Sequence, residues 1–117
     1  MELRDLVSAL LGYDALRARA LVQSAQRTSL VWSALPRPIG MSAVELALAA
    51  SITELLAARA GASPPAWAES VPASPTKIFL VRAAETMRRL RATCESEGPA
   101  ALRKRQFFAP PDFLTLA

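Results

Sequence analysis

Histidine is absent from this chain of 117 residues, cysteine occurs once, at Cys94, and glycine only four times. Without histidine there is no Ser-His-Asp or Cys-His nucleophile and no Cys/His zinc site; a single thiol excludes an internal disulfide. The glycines stand at 12, 40, 61 and 98, none closer than 21 residues to the next, so no Gly-rich phosphate loop exists. Long uncharged apolar runs are missing too. Residues 41–58 come nearest to the roughly 18 such residues that a membrane span needs, and Glu45 and Glu54 interrupt them. Glu2, Arg4 and Asp5 precede any apolar run, and no small-residue cleavage site follows one, unlike a secretory signal. These absences set the expectation of a non-enzymatic cytoplasmic protein with no metal, no cofactor and no membrane association.

What is present favours helices. Hydrophobic residues make up 52% of the chain, with Ala 24 times and Leu 17 times. Both are strong helix formers. The expected fold is all-α: a compact bundle of about four to five helices with a Pro-rich connection and an irregular C-terminal tail. It is read as one domain over 1–117, divided into N-terminal helices (1–61), a Pro-rich connection (62–81) and a basic helix with tail (82–117).

Leu3, Leu6, Val7 and Leu10 share the face of a first helix that stops at Gly12. Asp14 caps a second, reaching about Leu35 before Pro36 and Pro38, with Ala18, Leu21, Val22, Ala25 and Trp32 on its inner face. Ser42 and Glu45 form a Ser-x-x-Glu capping box that starts a third helix, with Val44, Leu48, Ile52, Leu55 and Leu56 inward and Gly61 at its end. Ser63-Pro64 opens a single turn. Trp67 plugs the core beneath the prolines at 64, 65, 72 and 75. A short strand fits 77–81 but has no evident partner. A last long helix is expected over about Arg82 to Glu97, with Ala84, Met87, Leu90 and Cys94 inward, and Ala100 to Phe107 adds one or two turns.

Charge is unevenly spread. Residues 1–76 balance six basic with six acidic side chains, whereas 77–105 hold eight basic and three acidic ones, a net +5. Arg88, Arg89 and Arg91 read first as a solvated helix face, helped by a Glu85–Arg89 pair. Arg103-Lys104-Arg105 differs, because Phe107 and Phe108 follow directly. Guanidiniums beside aromatic anchors are enriched at the energetic centres of interfaces. Equally, the two Phe can anchor the chain end while the triplet complements a helix C-terminal dipole. Both readings stand at this point.

From Pro64 onward the chain resembles a family of small bacterial proteins and C-terminal domains of some helix-turn-helix regulators, associated with nucleotidyltransferase-type toxins of toxin–antitoxin modules. The resemblance rests on Pro65-Ala-Trp67, then Pro99-Ala-Ala-Leu102-Arg103-Lys104-Arg105-Gln-Phe107-Phe108, then Pro111-Asp112-Phe113-Leu114. It covers about half the chain. Where the family commonly has Arg-Arg-Arg-Asn, this chain has Arg103-Lys104-Arg105-Gln106, and residues 1–60 carry no clear DNA-reading helix-turn-helix. The resemblance therefore implies an antitoxin or accessory component that binds a protein partner, a nucleotidyltransferase-type toxin, and occludes it. The partner-binding residues it implies are Arg103, Lys104, Arg105, Phe107, Phe108, Asp112 and Phe113. Under this reading nucleic-acid binding is expected to be weak or none; the rival readings are a nucleic-acid-binding protein that uses the basic region 77–105 and a structural helical scaffold that self-associates into a homo-oligomer.

Overall fold

The computed structural model describes residues 2–115. Its helices are α1 (Leu3–Leu11), α2 (Ala15–Arg27), α3 (Ala43–Arg59), α4 (Ala66–Glu69), α5 (Arg88–Glu97) and α6 (Ala100–Arg103). Single 3₁₀ turns cover Trp32–Ala34 and Arg82–Glu85, and two-residue strands cover Ile78–Phe79 (β1) and Phe107–Phe108 (β2). The chain is all-α with a minimal parallel strand pair.

Helix α3 is the axis of the fold. The sequence marks one apolar face, but Ala47 through Thr53 are all buried, as are Leu55, Leu56 and Ala57. A helix that is apolar all round must be surrounded. Helices α1, α4, α6 and the Trp32 turn pack against it. Its start is the expected capping box: the Ser42 hydroxyl accepts the Glu45 backbone N–H at 3.2 Å, and the Glu45 carboxylate accepts the Ser42 N–H at 2.9 Å. Replacing Ser42 by Ala should lower stability by about 1 kcal/mol, read as a shifted midpoint in denaturant unfolding.

The first three helices end alike, in a Schellman arrangement whose left-handed residue lies just past the C-cap. After α3 that residue is Gly61 (φ 68°), and the Ala62 N–H donates to the Ala57 carbonyl. After α1 it is Tyr13 (φ 57°), not Gly12, with the Asp14 N–H on the Ala9 carbonyl. After α2 it is Ser29 (φ 51°), with the Leu30 N–H on the Ala25 carbonyl. Helix α2 thus stops eight residues before Leu35. The Thr28 hydroxyl donates to the Ala25 carbonyl at 3.1 Å, the kind of side-chain competition that makes Ser and Thr poor helix interiors. Trp32 still reaches the core, from the 3₁₀ turn.

The connection also departs from expectation. The single turn begins at Ala66, behind Pro65 rather than at Ser63-Pro64. Trp67 is half-buried, its indole N–H donating to the Leu35 carbonyl at 2.8 Å. The long helix over 82–97 is broken at Thr86-Met87. Met87 is extended (φ −100°, ψ 101°) and 55% exposed, instead of inward. Ala84 and Cys94 are buried as expected. Finally, 77–81 does have a partner. Ile78 pairs with Phe107 and Phe79 with Phe108, in parallel.

Candidate functional site: the C-terminal basic-aromatic segment

The chain reaches Arg103 through a close crossing. Gly98 ends α5, and a Cβ there would lie 2.6 Å from the carbonyl oxygens of Ala109 and Cys94. Only glycine lets these backbones approach so closely. From that crossing α6 turns the triplet back toward α3 and the connection.

Each basic residue of the triplet is engaged within the chain. Arg103 Nε donates to the Gly98 carbonyl at 2.7 Å and its Nη1 to the Ser96 carbonyl at 3.2 Å. It satisfies acceptors at the end of α5, where the helix dipole favours a cation. Lys104 Nζ meets Glu54 Oε2 at 2.8 Å. Arg105 is 3% exposed and ion-paired with the other Glu54 oxygen. Arg105 Nε donates to the Val71 carbonyl at 3.0 Å and its Nη2 to the Ala68 carbonyl. One guanidinium thereby ties α3, α4 and the connection together. Burial pushes the Glu54 carboxyl up, but the hydrogen bonds and charges of Lys104 and Arg105 outweigh it and hold the group below its ordinary value.

The aromatic pair follows the strand alternation. Phe107 is fully buried, and Phe108 is 8% exposed with its ring 5.3 Å from that of Phe79. Outside this pair, Arg91 lies 4.3 Å over the Phe79 ring and Lys77 5.7 Å over that of Phe108, and both reach Glu95. Beyond β2, Arg59 donates to the carbonyls of Phe113 and Pro111, and Phe113 packs half-buried on the core. Asp112 is exposed, and its charge partly offsets the lowering that burial imposes on Arg59.

The expectation that Arg105, Phe107 and Phe108 present a docking surface is therefore corrected. A guanidinium can leave water here because Glu54 and two carbonyls replace its hydration, and the phenyl rings gain more from the core than from solvent. Arg103, Lys104 and Asp112 keep exposed atoms, and Phe113 keeps part of its ring. The overlooked residue is Glu54. Its signal lay in the sequence: a carboxylate beyond the cap, in the interior of a helix with no polar face, has to find a cation.

The residual positive charge sits elsewhere. Arg88 and Arg89 open α5, are exposed, and make no ion pair among the described residues. Helix α5 has no side-chain N-cap and no acid in its first turn. Both guanidiniums thus stand at the positive end of the helix dipole, beside uncompensated N–H groups and exposed Met87. The expected Glu85–Arg89 pair is not formed; Glu85 lies in the 3₁₀ turn and accepts the Tyr13 hydroxyl at 3.3 Å.

Cys94 is buried, and that burial, with the charge of Glu95, pushes its thiol up, unlike a nucleophile. Among the described residues no group of three or more His, Cys, Asp or Glu is placed to hold a metal ion, and no helix is long and apolar enough to cross a membrane. No family model matches the chain, and comparison with curated proteins and solved structures found no match either.

Proposed function

We propose that this chain is a non-catalytic, cytoplasmic protein-binding module that docks on an acidic partner surface through the start of α5. The partner proposed from the C-terminal resemblance is a nucleotidyltransferase-type toxin, which makes this chain its antitoxin or accessory component. Such an enzyme gathers carboxylates to hold Mg²⁺, so a cationic helix end laid across that cluster occludes it.

One observation carries the reading. Arg88 and Arg89 stand in the first turn of α5, at the positive end of its dipole, and no side-chain cap, first-turn acid or ion pair among the described residues offsets them. Basic residues in a first helical turn oppose the macrodipole and weaken the free fold. Carboxylates from a partner would supply the missing anions, and Met87 offers an adaptable apolar contact beside them.

The test uses this opposition of signs. Replacing Arg88 and Arg89 by Glu should stabilise the isolated chain, by roughly 0.5 kcal/mol each at low salt, while weakening the complex at least about tenfold. Thermal unfolding reads the first effect. Calorimetry with the purified product of the neighbouring gene of the host reads the second. Undiminished affinity in the folded variant, or a neighbouring product unrelated to nucleotidyltransferases, sinks the proposal. Duplex DNA and single-stranded RNA should bind no tighter than the micromolar range of non-specific contacts. Nanomolar, sequence-dependent binding would transfer the α5 surface to nucleic acid.

A further inference from the structure

Tyr13 takes a left-handed conformation although Gly12 is next to it, and Leu114 (φ 58°) does the same near the other end of the chain. Bulky residues rarely adopt this region; at Tyr13 it belongs to the Schellman end of α1. Tyr13 and Leu114 line one cleft of about 430 Å³, within the range of small-molecule sites. Its walls are the α1–α2 junction, residues 80–83, which lead out of β1, and residues 112–115.

The cleft has two chemical halves. Leu10, Ala18, Leu80, Val81, Phe113 and Leu114 make an apolar floor. Arg19 and Arg82 stand on the rim, and neither makes an ion pair among the described residues. Arg82 lies 5.1 Å over the Tyr13 ring, and the Tyr13 hydroxyl donates to Glu85 at 3.3 Å. The rim also has the carboxylates of Asp14 and Asp112. Asp14 accepts the Arg17 backbone N–H at 3.1 Å, and the charge of Asp112 acts on Arg59.

We propose that this cleft binds a small amphipathic carboxylate, its hydrocarbon part on the apolar floor and its anionic head between Arg19 and Arg82. The guanidiniums give bidentate donors to the head, and the floor removes the tail from water. A neutral molecule of the same shape would gain only the second term. The site is separate from the α5 surface, so either can fail alone.

Octanoate and 1-octanol, titrated into the full chain by calorimetry, distinguish the two halves. Octanoate should saturate one site with a dissociation constant below about 1 mM, and octanol should bind at least about tenfold more weakly. Arg19→Gln and Arg82→Gln should each weaken octanoate severalfold and leave octanol unchanged. Ala15, exposed on the cleft wall, gives a blocking variant: Ala15→Trp should abolish both. The arginine variants carry the decision should the blocked chain not fold. Failure to saturate, equal affinity for octanol, or unchanged octanoate binding in the folded arginine variants would overturn the site. So would binding seen only in a Leu116→Asp variant, which would make the chain's own Leu116 the occupant.

Discussion

Arg105→Ala is expected to destabilise the chain by about 3–5 kcal/mol, the usual effect of removing one partner from a buried ion pair. The change leaves Glu54, whose side chain is 14% exposed, with Lys104 alone, and strips donors from the carbonyls of Ala68 and Val71. Against a total stability on the order of 5–15 kcal/mol, that loss is large enough to leave part of the population unfolded at ambient temperature. Urea unfolding of the variant beside the parent measures it. A midpoint shifted by less than the equivalent of about 1 kcal/mol would mean that Arg105 is solvated and free for a partner. The double change Glu54→Leu with Arg105→Met should recover only part of the loss. It removes both charges, but the two carbonyls stay without donors.

The same pair sets an acid dependence. The folded Glu54 carboxyl lies below its ordinary value, so its stabilising effect is complete above that value and disappears as pH falls through the folded one. Unfolding midpoints should therefore drop as pH falls below the ordinary carboxylate range, and Glu54→Gln should flatten that part of the profile. An equally steep acid limb in Glu54→Gln would assign the dependence to other carboxylates.

Phe107→Ala is the second large effect, expected at about 3–5 kcal/mol. Phe107 is the largest fully buried side chain, and it belongs to the main core while its backbone holds the register with Ile78. Truncation leaves a cavity that the paired strands cannot close. Phe107→Leu, which keeps most of the volume, should lose far less. Phe108→Ala should fall between them, because that ring rests on Phe79 and under Lys77 at the edge of the fold. Near-equal losses for Phe107→Ala and Phe108→Ala would contradict the alternation of faces.

Local chemistry in the sequence determined where several helices begin and end. Ser42 and Glu45 sit three residues apart, so the capping box forms with no help from elsewhere, and Asp14 likewise accepts the Arg17 N–H of its own helix. The 3–4 spacing of Leu3, Leu6, Val7 and Leu10 fixed the buried face of α1. Hydrophobic periodicity is a property of neighbouring residues, and in α1 it survives into the fold unchanged.

Tertiary structure decided what the basic residues do. A guanidinium defaults to water, and only Glu54, 51 residues earlier in the chain, with the carbonyls of Ala68 and Val71, makes burial of Arg105 favourable. The strand at Ile78–Phe79 likewise exists because Phe107–Phe108 returns beside it, a pairing that no local pattern encodes. That return reassigned the surface. It drew Arg105 and the two Phe inward and left Arg88 and Arg89, first read as a merely solvated face, as cations without an ion pair among the described residues. Sequence counts the charges, but which of them meet carboxylates depends on contacts between residues far apart in the chain, and those are fixed only when the core closes.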